Sequence, residues 1–177
     1  MAGESEWAPP WFAELLAHRH WIHRERPFPH VYAAGVFAEF FAVRLAAEVA
    51  AAAGQGRDTT HADWTDGPTA LFASREWARL LAGFTDAPGA LGGVLGRAAE
   101  VPLSREHAVV AVFFADEAAE LTLRLGAGGP ARTVAAQPGS LALWRPNPRT
   151  DCTLTGDGGV VVTWLTGAQA PGTGGIA

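Results

Sequence analysis

The C-terminal half of the chain contains six short runs that are either continuously apolar or alternate apolar and polar positions. Glycine- and proline-rich turns such as GAGG, QPGS, RPNPR and GDGG separate these runs. Short runs of this kind between turn residues are typical of antiparallel strands, and a β-rich half of strands and tight turns is typical of a jelly-roll barrel. The predicted strands are HAVVAVFFAD, ELTLRL, ARTVAA, SLALW, CTLTG and VVVTWLT.

The N-terminal half follows a helical period with one interruption. A first amphipathic helix is predicted from the apolar positions around Trp11 to Trp21, ending in the His-rich stretch before Pro27. The prolines of PFPHVYAAGVF favour a short strand there. A second helix is predicted to end at Gly54, and Ser74 is predicted to cap a third that ends near Gly83. The second helix carries its apolar stripe on Phe37, Phe40, Phe41, Leu45 and Val49.

These patterns predict one α+β domain over residues 1–177, with N-terminal helices packed on a C-terminal antiparallel jelly-roll barrel. The helical half spans about 10–87 and the barrel half about 101–167. The GALGG stretch at 89–93 is predicted to join the halves, and residues 168–177 are predicted to form a flexible tail.

Composition narrows the function classes. A net charge of −5 argues against nucleic-acid binding, which requires a basic surface. All 13 basic residues are arginine, so no lysine can form a Schiff base or serve a P-loop. The single cysteine, Cys152, excludes an internal disulfide. The absence of a long apolar run argues against a membrane partner, and the acidic start is unlike a signal peptide, so a cytoplasmic location is expected.

Four segments carry a family resemblance. RPFPHVYAAGVFAEFFAVRLAAEV resembles the entry strand and long helix of iron(II)/2-oxoglutarate oxygenases of the prolyl-4-hydroxylase kind, and LFASREWARLLAGFTD is similar to their second helix. REHAVVAVFFADE resembles a major barrel strand, and RTVAAQPGSLALWRPNPRTDCTLTGDGGVVVTWLTG resembles the final strands. The resemblance covers residues 25–167 and implies a double-stranded β-helix, a cupin-like barrel.

The resemblance also implies an iron site, which this chain departs from at every expected position. The family holds iron with a His-x-Asp pair and a distal histidine, and an arginine clamps 2-oxoglutarate. The pair is expected at Ser104-Arg105-Glu106, the distal histidine near Arg149 to Asp151, and the arginine at Gly158-Gly159-Val160. None of these residue types is present, which predicts that ordinary 2-oxoglutarate chemistry is lost and that no cofactor is used.

Other residues offer fallback sites for iron(II) or copper. His61 and Asp63 form a His-x-Asp triplet, although far upstream of the barrel, and His107 would be their third ligand. Glu106, His107 and Asp151 would suit a hard metal, but neighbouring strand residues face opposite sides. Four histidines, His18, His20, His23 and His30, could bind copper or zinc, or could simply lie at a helix end.

The remaining candidates describe a pocket. Glu106, His107 and Asp151 are predicted to transfer protons, because a carboxyl group in an apolar barrel can titrate near neutral pH. The predicted substrate-binding residues are Arg124, Arg132, Trp144, Arg145 and Trp164. The two tryptophans could equally be core residues, and the Arg124 face of its strand could equally face solvent.

Three functions stay open. The favoured one is an enzyme that isomerises, cyclises or dehydrates a small molecule without metal or 2-oxoglutarate, and the GC-rich bacterial composition suggests natural-product biosynthesis. The alternatives are a non-catalytic barrel that binds a small molecule or a protein, and an oxygenase with atypical iron or copper ligands. Exposed strand edges also make a homodimer the expected assembly.

Overall fold

The computed structural model describes residues 21–85 and 89–166. Within these described ranges, two helices lie in the N-terminal half, and the six predicted C-terminal strands are confirmed. In chain order the elements are β1 (Trp21–Arg24), β2 (His30–Ala33), α1 (Glu39–Gly54), β3 (Thr59–Thr60), α2 (Arg75–Ala82), β4 (Leu91–Arg97), β5 (His107–Phe114), β6 (Ala119–Leu125), β7 (Ala131–Ala135), β8 (Leu141–Trp144), β9 (Thr150–Gly156) and β10 (Gly159–Thr166). Short 3₁₀ turns occupy His61–Asp63, Pro68–Ala73 and Ala98–Glu100.

The strands form two antiparallel sheets that face each other. The large sheet has the order β1-β2-β8-β5-β10-β4-β3, and the small sheet has the order β7-β6-β9. Strands that are distant in sequence are neighbours in the large sheet, as when β2 pairs with β8 and β10 lies between β5 and β4. This arrangement is the predicted jelly roll, a double-stranded β-helix.

Apolar side chains cover both faces of the large sheet. Along β5, Val109, Ala111 and Phe113 pack toward the helices. Their neighbours Val110 and Val112 pack against the small sheet. A strand buried on both faces reads as a continuous apolar run, which explains the HAVVAVFF sequence.

Helix α1 contacts the large sheet through a narrower stripe than predicted. Leu45, Val49 and Ala53 are buried at a spacing of four residues. Phe40, assigned to the apolar stripe by its periodicity, is 68% exposed. The correction follows from where the helix begins: Glu39 is its first residue, so Phe40 lies in the first turn, on a face that no sheet residue covers.

Helix α2 begins as predicted at its cap. The Ser74 hydroxyl accepts a hydrogen bond from the Trp77 backbone N–H at 3.2 Å. The Trp77 ring is fully buried, and its Nε1–H donates to Thr163 Oγ1 of β10 at 2.9 Å. The helix is therefore fixed to the sheet by a buried polar contact as well as by apolar packing.

The described part of the N-terminal half contributes three strands to the large sheet, where the sequence predicts one. Trp21–Arg24, expected to end a first helix, is the edge strand β1, and the rest of that predicted helix lies outside the described residues. Trp21 packs edge-on against Phe84 at 5.8 Å between ring centroids, which places its ring on the helix side of the sheet. Because β1, β2 and β3 all join the large sheet, the two halves share one sheet.

The GALGG stretch, predicted to join the halves, instead leads into strand β4 between β10 and β3. Its glycines accommodate tryptophan rings. A Cβ atom at Gly92 would lie 2.5 Å from Trp164 Nε1, and one at Gly93 would lie 2.8 Å from the ring of Trp64. Glycine permits this close approach in a strand, although it reads as a linker in the sequence. The predicted tail at 168–177 lies outside the described residues.

Within the described residues, the structure has no helix that is both long and apolar enough to cross a membrane.

Candidate ligand site at one end of the barrel

A row of side chains crosses the inner face of the large sheet near one end of the barrel. The strand registers place His30 opposite Trp144, Trp144 opposite Val110, Val110 opposite Trp164, and Trp164 opposite Gly92. Strands are about 4.8 Å apart, so the two tryptophans lie about 10 Å apart on either side of Val110. The row gives this end of the barrel an aromatic wall.

A bulge places His107 beside this row. Val109 pairs with Leu165 but His107 pairs with Thr166, so the extra residue at the start of β5 changes the direction of His107. The imidazole stacks on the indole of Trp164 with centroids 4.7 Å apart and planes 14° apart. Burial lowers the pKa of His107, and the charge of Glu106 partly offsets this effect. The ring is therefore neutral at pH 7.

A cavity of about 100 Å³ opens beside Trp144, and we call it the barrel-end cavity. It forms where the segment before β5 meets the end of β8 and the start of β9. Its lining residues are Leu103, Ser104, Arg105, Trp144, Pro146, Thr150, Asp151 and Cys152. The segments expected to carry the His-x-Asp pair and the distal histidine therefore do converge, but the side chains that they bring are hydroxyls, a thiol and a guanidinium, since the Asp151 side chain is exposed.

The NPRT turn beside the cavity is held by its own polar groups. Thr150 Oγ1 donates to the Asn147 carbonyl oxygen at 2.9 Å and accepts from the Asn147 N–H at 3.1 Å. The Arg149 N–H donates to Asn147 Oδ1 at 2.8 Å, and Arg105 Nη1 donates to the Pro148 carbonyl oxygen at 3.1 Å. These bonds give the polar residues of the turn a structural role.

Cys152 is an unreactive thiol in this setting. Burial raises its pKa to about 12; the charge of Asp151 adds to the effect, and Arg105 opposes it. The thiolate is the nucleophilic and metal-binding form of cysteine. Cys152 therefore shapes the cavity as a small apolar group.

The three predicted proton-transfer residues are not gathered on one face. His107 lies on the inner face against Trp164, whereas Glu106 and Asp151 are exposed. Asp151 of β9 lies opposite Arg124 of β6. The inward positions of β6 are the buried Leu121 and Leu123, so Arg124 and Asp151 lie on the outer face of the small sheet.

The predicted substrate-binding residues have different surroundings. Arg124 faces outward and donates to the Gly129 carbonyl oxygen at 3.1 Å, so it stabilises the turn before β7. Trp144 is 2% exposed and so belongs to the core, although its edge lines the barrel-end cavity. Trp164 is half-buried at the same end. Arg145 lines a second cavity, of about 120 Å³, and Arg132 lines a groove of about 460 Å³.

The fallback metal set is not brought together. Asp63 Oδ2 accepts the Thr60 N–H at 2.9 Å, so the His61–Asp63 triplet caps a 3₁₀ turn at the β3 edge of the large sheet, away from His107. Over residues 21–85 and 89–166, no three His, Cys, Asp or Glu side chains are placed to hold a metal ion. His18 and His20 lie outside the described residues; His23 is exposed and His30 is buried.

Two further groups lie at this end: His30, which the sequence indicates only as one of four histidines, and Thr150, which it does not indicate. His30 is 3% exposed, with its Nδ1 atom 2.9 Å from the Phe28 carbonyl oxygen and its Nε2 atom without a partner in the described structure. Thr150, Cys152 and Leu154 are alternate residues of β9 and therefore share its inward face. This period of two in the sequence could have indicated the inward position of Thr150.

Similarity to solved structures bears on the fold. A prolyl 4-hydroxylase from Phytophthora capsici matches with a TM-score of 0.58 and 18% identity, over 80% of this chain and 59% of its own. A Pseudomonas putida prolyl-4-hydroxylase matches with a TM-score of 0.55 and 13% identity, over 77% and 91%. This chain has the fold of the prolyl 4-hydroxylases.

A third prolyl hydroxylase, from Trichoplax adhaerens in complex with a hypoxia inducible factor peptide fragment, matches with a TM-score of 0.52 and 10% identity, over 78% and 83% of the two chains. This chain thus spans less than two thirds of the Phytophthora enzyme but most of the other two. No family model and no curated protein matches the sequence.

The residues present do not fit iron(II) and 2-oxoglutarate. The barrel-end cavity offers the hydroxyls of Ser104 and Thr150 and a protonated thiol, which are poor ligands for iron(II). The position expected for the arginine clamp cannot supply a cation: a Cβ atom at Gly158 would lie 2.7 Å from the Ala119 backbone nitrogen, and Val160 is a fully buried apolar side chain.

Proposed function

We propose that this protein binds a small organic molecule at the end of an oxygenase-type barrel and does not perform iron- and 2-oxoglutarate-dependent oxidation. One observation carries the proposal. The segments that should supply a metal site do converge, but on a cavity lined by Ser104, Arg105, Thr150 and Cys152. These residues keep a polar lining at the position of the family's metal site, but they are not metal ligands.

The shape of the site favours a ligand with a flat or apolar part and one small polar group. The cavity volume of about 100 Å³ accommodates only a few atoms, and Arg105 and Ser104 line it as hydrogen-bond donors. The larger part of the ligand would lie along the aromatic row, against Trp144 and the stacked His107 and Trp164. Aromatic walls with a few convergent polar groups are typical of small-molecule sites.

Metal loading tests the first half of the proposal. The protein, purified without a His-tag, is loaded anaerobically with iron(II) or copper and washed, with and without 2-oxoglutarate. We expect well under one metal ion per chain by elemental analysis and no succinate after oxygen is admitted. About one retained ion per chain, or succinate formed in proportion to protein, would instead indicate an oxygenase with atypical ligands.

Tryptophan fluorescence tests the second half. We expect benzoate, 4-hydroxybenzoate or indole-3-acetate to quench the indoles saturably. Cys152→Phe should abolish the quenching because the phenyl ring fills the cavity. Thr153→Phe is the matched control, since Thr153 is exposed on the opposite face of the same strand. Equal quenching in both variants would place binding elsewhere and contradict the proposal.

A second candidate, an acid–base enzyme of the isomerase, cyclase or dehydratase type, is favoured by the His107–Trp164 stack. A neutral imidazole held against an aromatic surface can accept a proton from a ligand lying there. Under this candidate, a ligand found by fluorescence is chemically converted. His107→Gln should then abolish conversion while binding persists, and His61→Gln should change neither.

A further inference from the structure

A groove of about 460 Å³ lies between the segment that precedes β2 and the turn that leads into β7. We call it the seam groove, because it lies where one edge of the small sheet meets the β1–β2 end of the large sheet. It is lined by Arg26, Pro27, Pro130, Ala131 and Arg132. None of these residues lines the barrel-end cavity, so the two sites are separate.

Positive charge concentrates at this seam. Arg26 and Arg132 approach from opposite sides of the groove. Arg24 lies beside them on β1, with its guanidinium carbon 5.7 Å from the centre of the Tyr32 ring. Among the described residues, none of these three guanidinium groups forms an ion pair. Arginines without ion pairs on adjoining segments make this part of the surface positive in a chain with a net charge of −5.

His30 supplies an independent observation next to this groove, where it lines the second cavity, of about 120 Å³, together with Arg24. It lies opposite Arg24 in the sheet register and is 3% exposed, and its Nε2 atom has no partner in the described structure. Buried polar atoms nearly always have a hydrogen-bond partner. Burial lowers the pKa of His30 and the charges of Arg24 and Arg132 lower it further, against the hydrogen bond to Phe28, so both guanidinium groups lie close enough to act on the ring.

We propose that the seam groove binds a small anion carrying a carboxylate or phosphate group, held by Arg26 and Arg132, with Arg24 adding positive charge nearby. The guanidinium fork matches both groups in two-point hydrogen bonding. Pro27, Pro130 and Ala131 would contact the carbon part of an organic anion. Such an anion would supply a counter-charge and, by offsetting the charges of Arg24 and Arg132, would favour protonation of His30. This site goes beyond the proposed function and does not depend on it.

Calorimetry and thermal unfolding with inorganic phosphate, pyrophosphate and succinate, at constant ionic strength, test the proposal. We expect at least one of them to bind at one per chain and to raise the Tm. The double variant Arg26→Gln/Arg132→Gln should weaken this binding by about 10- to 100-fold or more, as expected for lost charged hydrogen bonds. Arg57→Gln, an exposed arginine beyond the end of α1, is the control for charge and should leave binding unchanged.

Ring ¹⁵N NMR gives a second readout that a general surface effect would not produce. The bound anion should shift the His30 Nε2 resonance toward the protonated form, while exposed His61 at the opposite edge of the sheet stays unchanged. Failure of all three anions to bind at 10 mM would overturn the proposal, and so would binding that persists in the double variant. Cys152→Phe should leave anion binding intact, so this result and that of the barrel-end site are read separately.

Discussion

Replacing Gly92 with alanine tests the contact that positions the Trp164–His107 stack. The new Cβ would lie 2.5 Å from Trp164 Nε1 and 2.6 Å from Cε2. Atoms in contact are ordinarily about 3.5 Å apart or more, so the indole must move by about 1 Å. Overpacking of this kind costs about 1–3 kcal/mol. For a chain of this length, a loss of about 2 kcal/mol lowers the Tm by about 4–8 °C.

Urea unfolding followed by circular dichroism measures the cost, and NMR of the Trp164 Nε1–H and the His107 ring measures the displacement. We expect both signals to move and the pKa of His107 to rise toward its ordinary value, because the unstacked imidazole is better solvated. In a Trp164→Leu background, the same glycine change should cost less, since the ring that it strikes is gone.

Gly54→Ala is the control for removing a glycine. Gly54 ends α1 with nothing within 4 Å of a built Cβ, and it has no left-handed backbone conformation. If Gly92→Ala unfolds within about 0.5 kcal/mol of the original protein, the close packing of Trp164 on β4 is refuted. Unmoved Trp164 and His107 signals would refute it equally.

Three further outcomes follow from buried groups. Thr163→Val should cost about 1–3 kcal/mol in urea unfolding because it leaves the Trp77 Nε1–H without its acceptor, and the cost should shrink in a Trp77→Phe background. With its pKa near 12, Cys152 should react with iodoacetamide at pH 8 at least about 100-fold more slowly than free cysteine, and at the ordinary rate in denaturant. Because burial depresses the pKa of His30 in the folded state, the unfolded chain binds more protons below pH 6.5. The Tm should therefore fall between pH 7.5 and 5.5, and fall less in His30→Gln; an equal fall in both proteins would contradict this reasoning.

The strands of the barrel were predictable because their burial follows local patterns. The alternation in ELTLRL places Leu121 and Leu123 inward, as the structure has them. Strand β4 was not predictable in this way. Gly92 and Gly93 have no side chains to alternate, and their reason for being glycine is contact with Trp164 and Trp64, which are distant in sequence.

The candidate site was predictable only in part. The resemblance located the segments that line the barrel-end cavity, because the order of the strands in this fold decides which strand ends are neighbours. It could not give the direction of single side chains at strand ends. The bulge that directs His107 inward, and the outward position of Asp151, depend on pairing with Thr166 and Arg124 respectively.

During synthesis, β1 and β2 emerge long before the strand that completes their sheet. His30 pairs with Trp144, 114 positions later, so β2 waits roughly 6–23 s for its partner at ordinary rates of translation. Throughout that time the strand His30–Ala33, which is entirely buried in the finished fold, has no β8 to cover it. The yield of folded protein should therefore depend on how well the nascent N-terminal segment is shielded from aggregation, and less on the stability of the completed barrel.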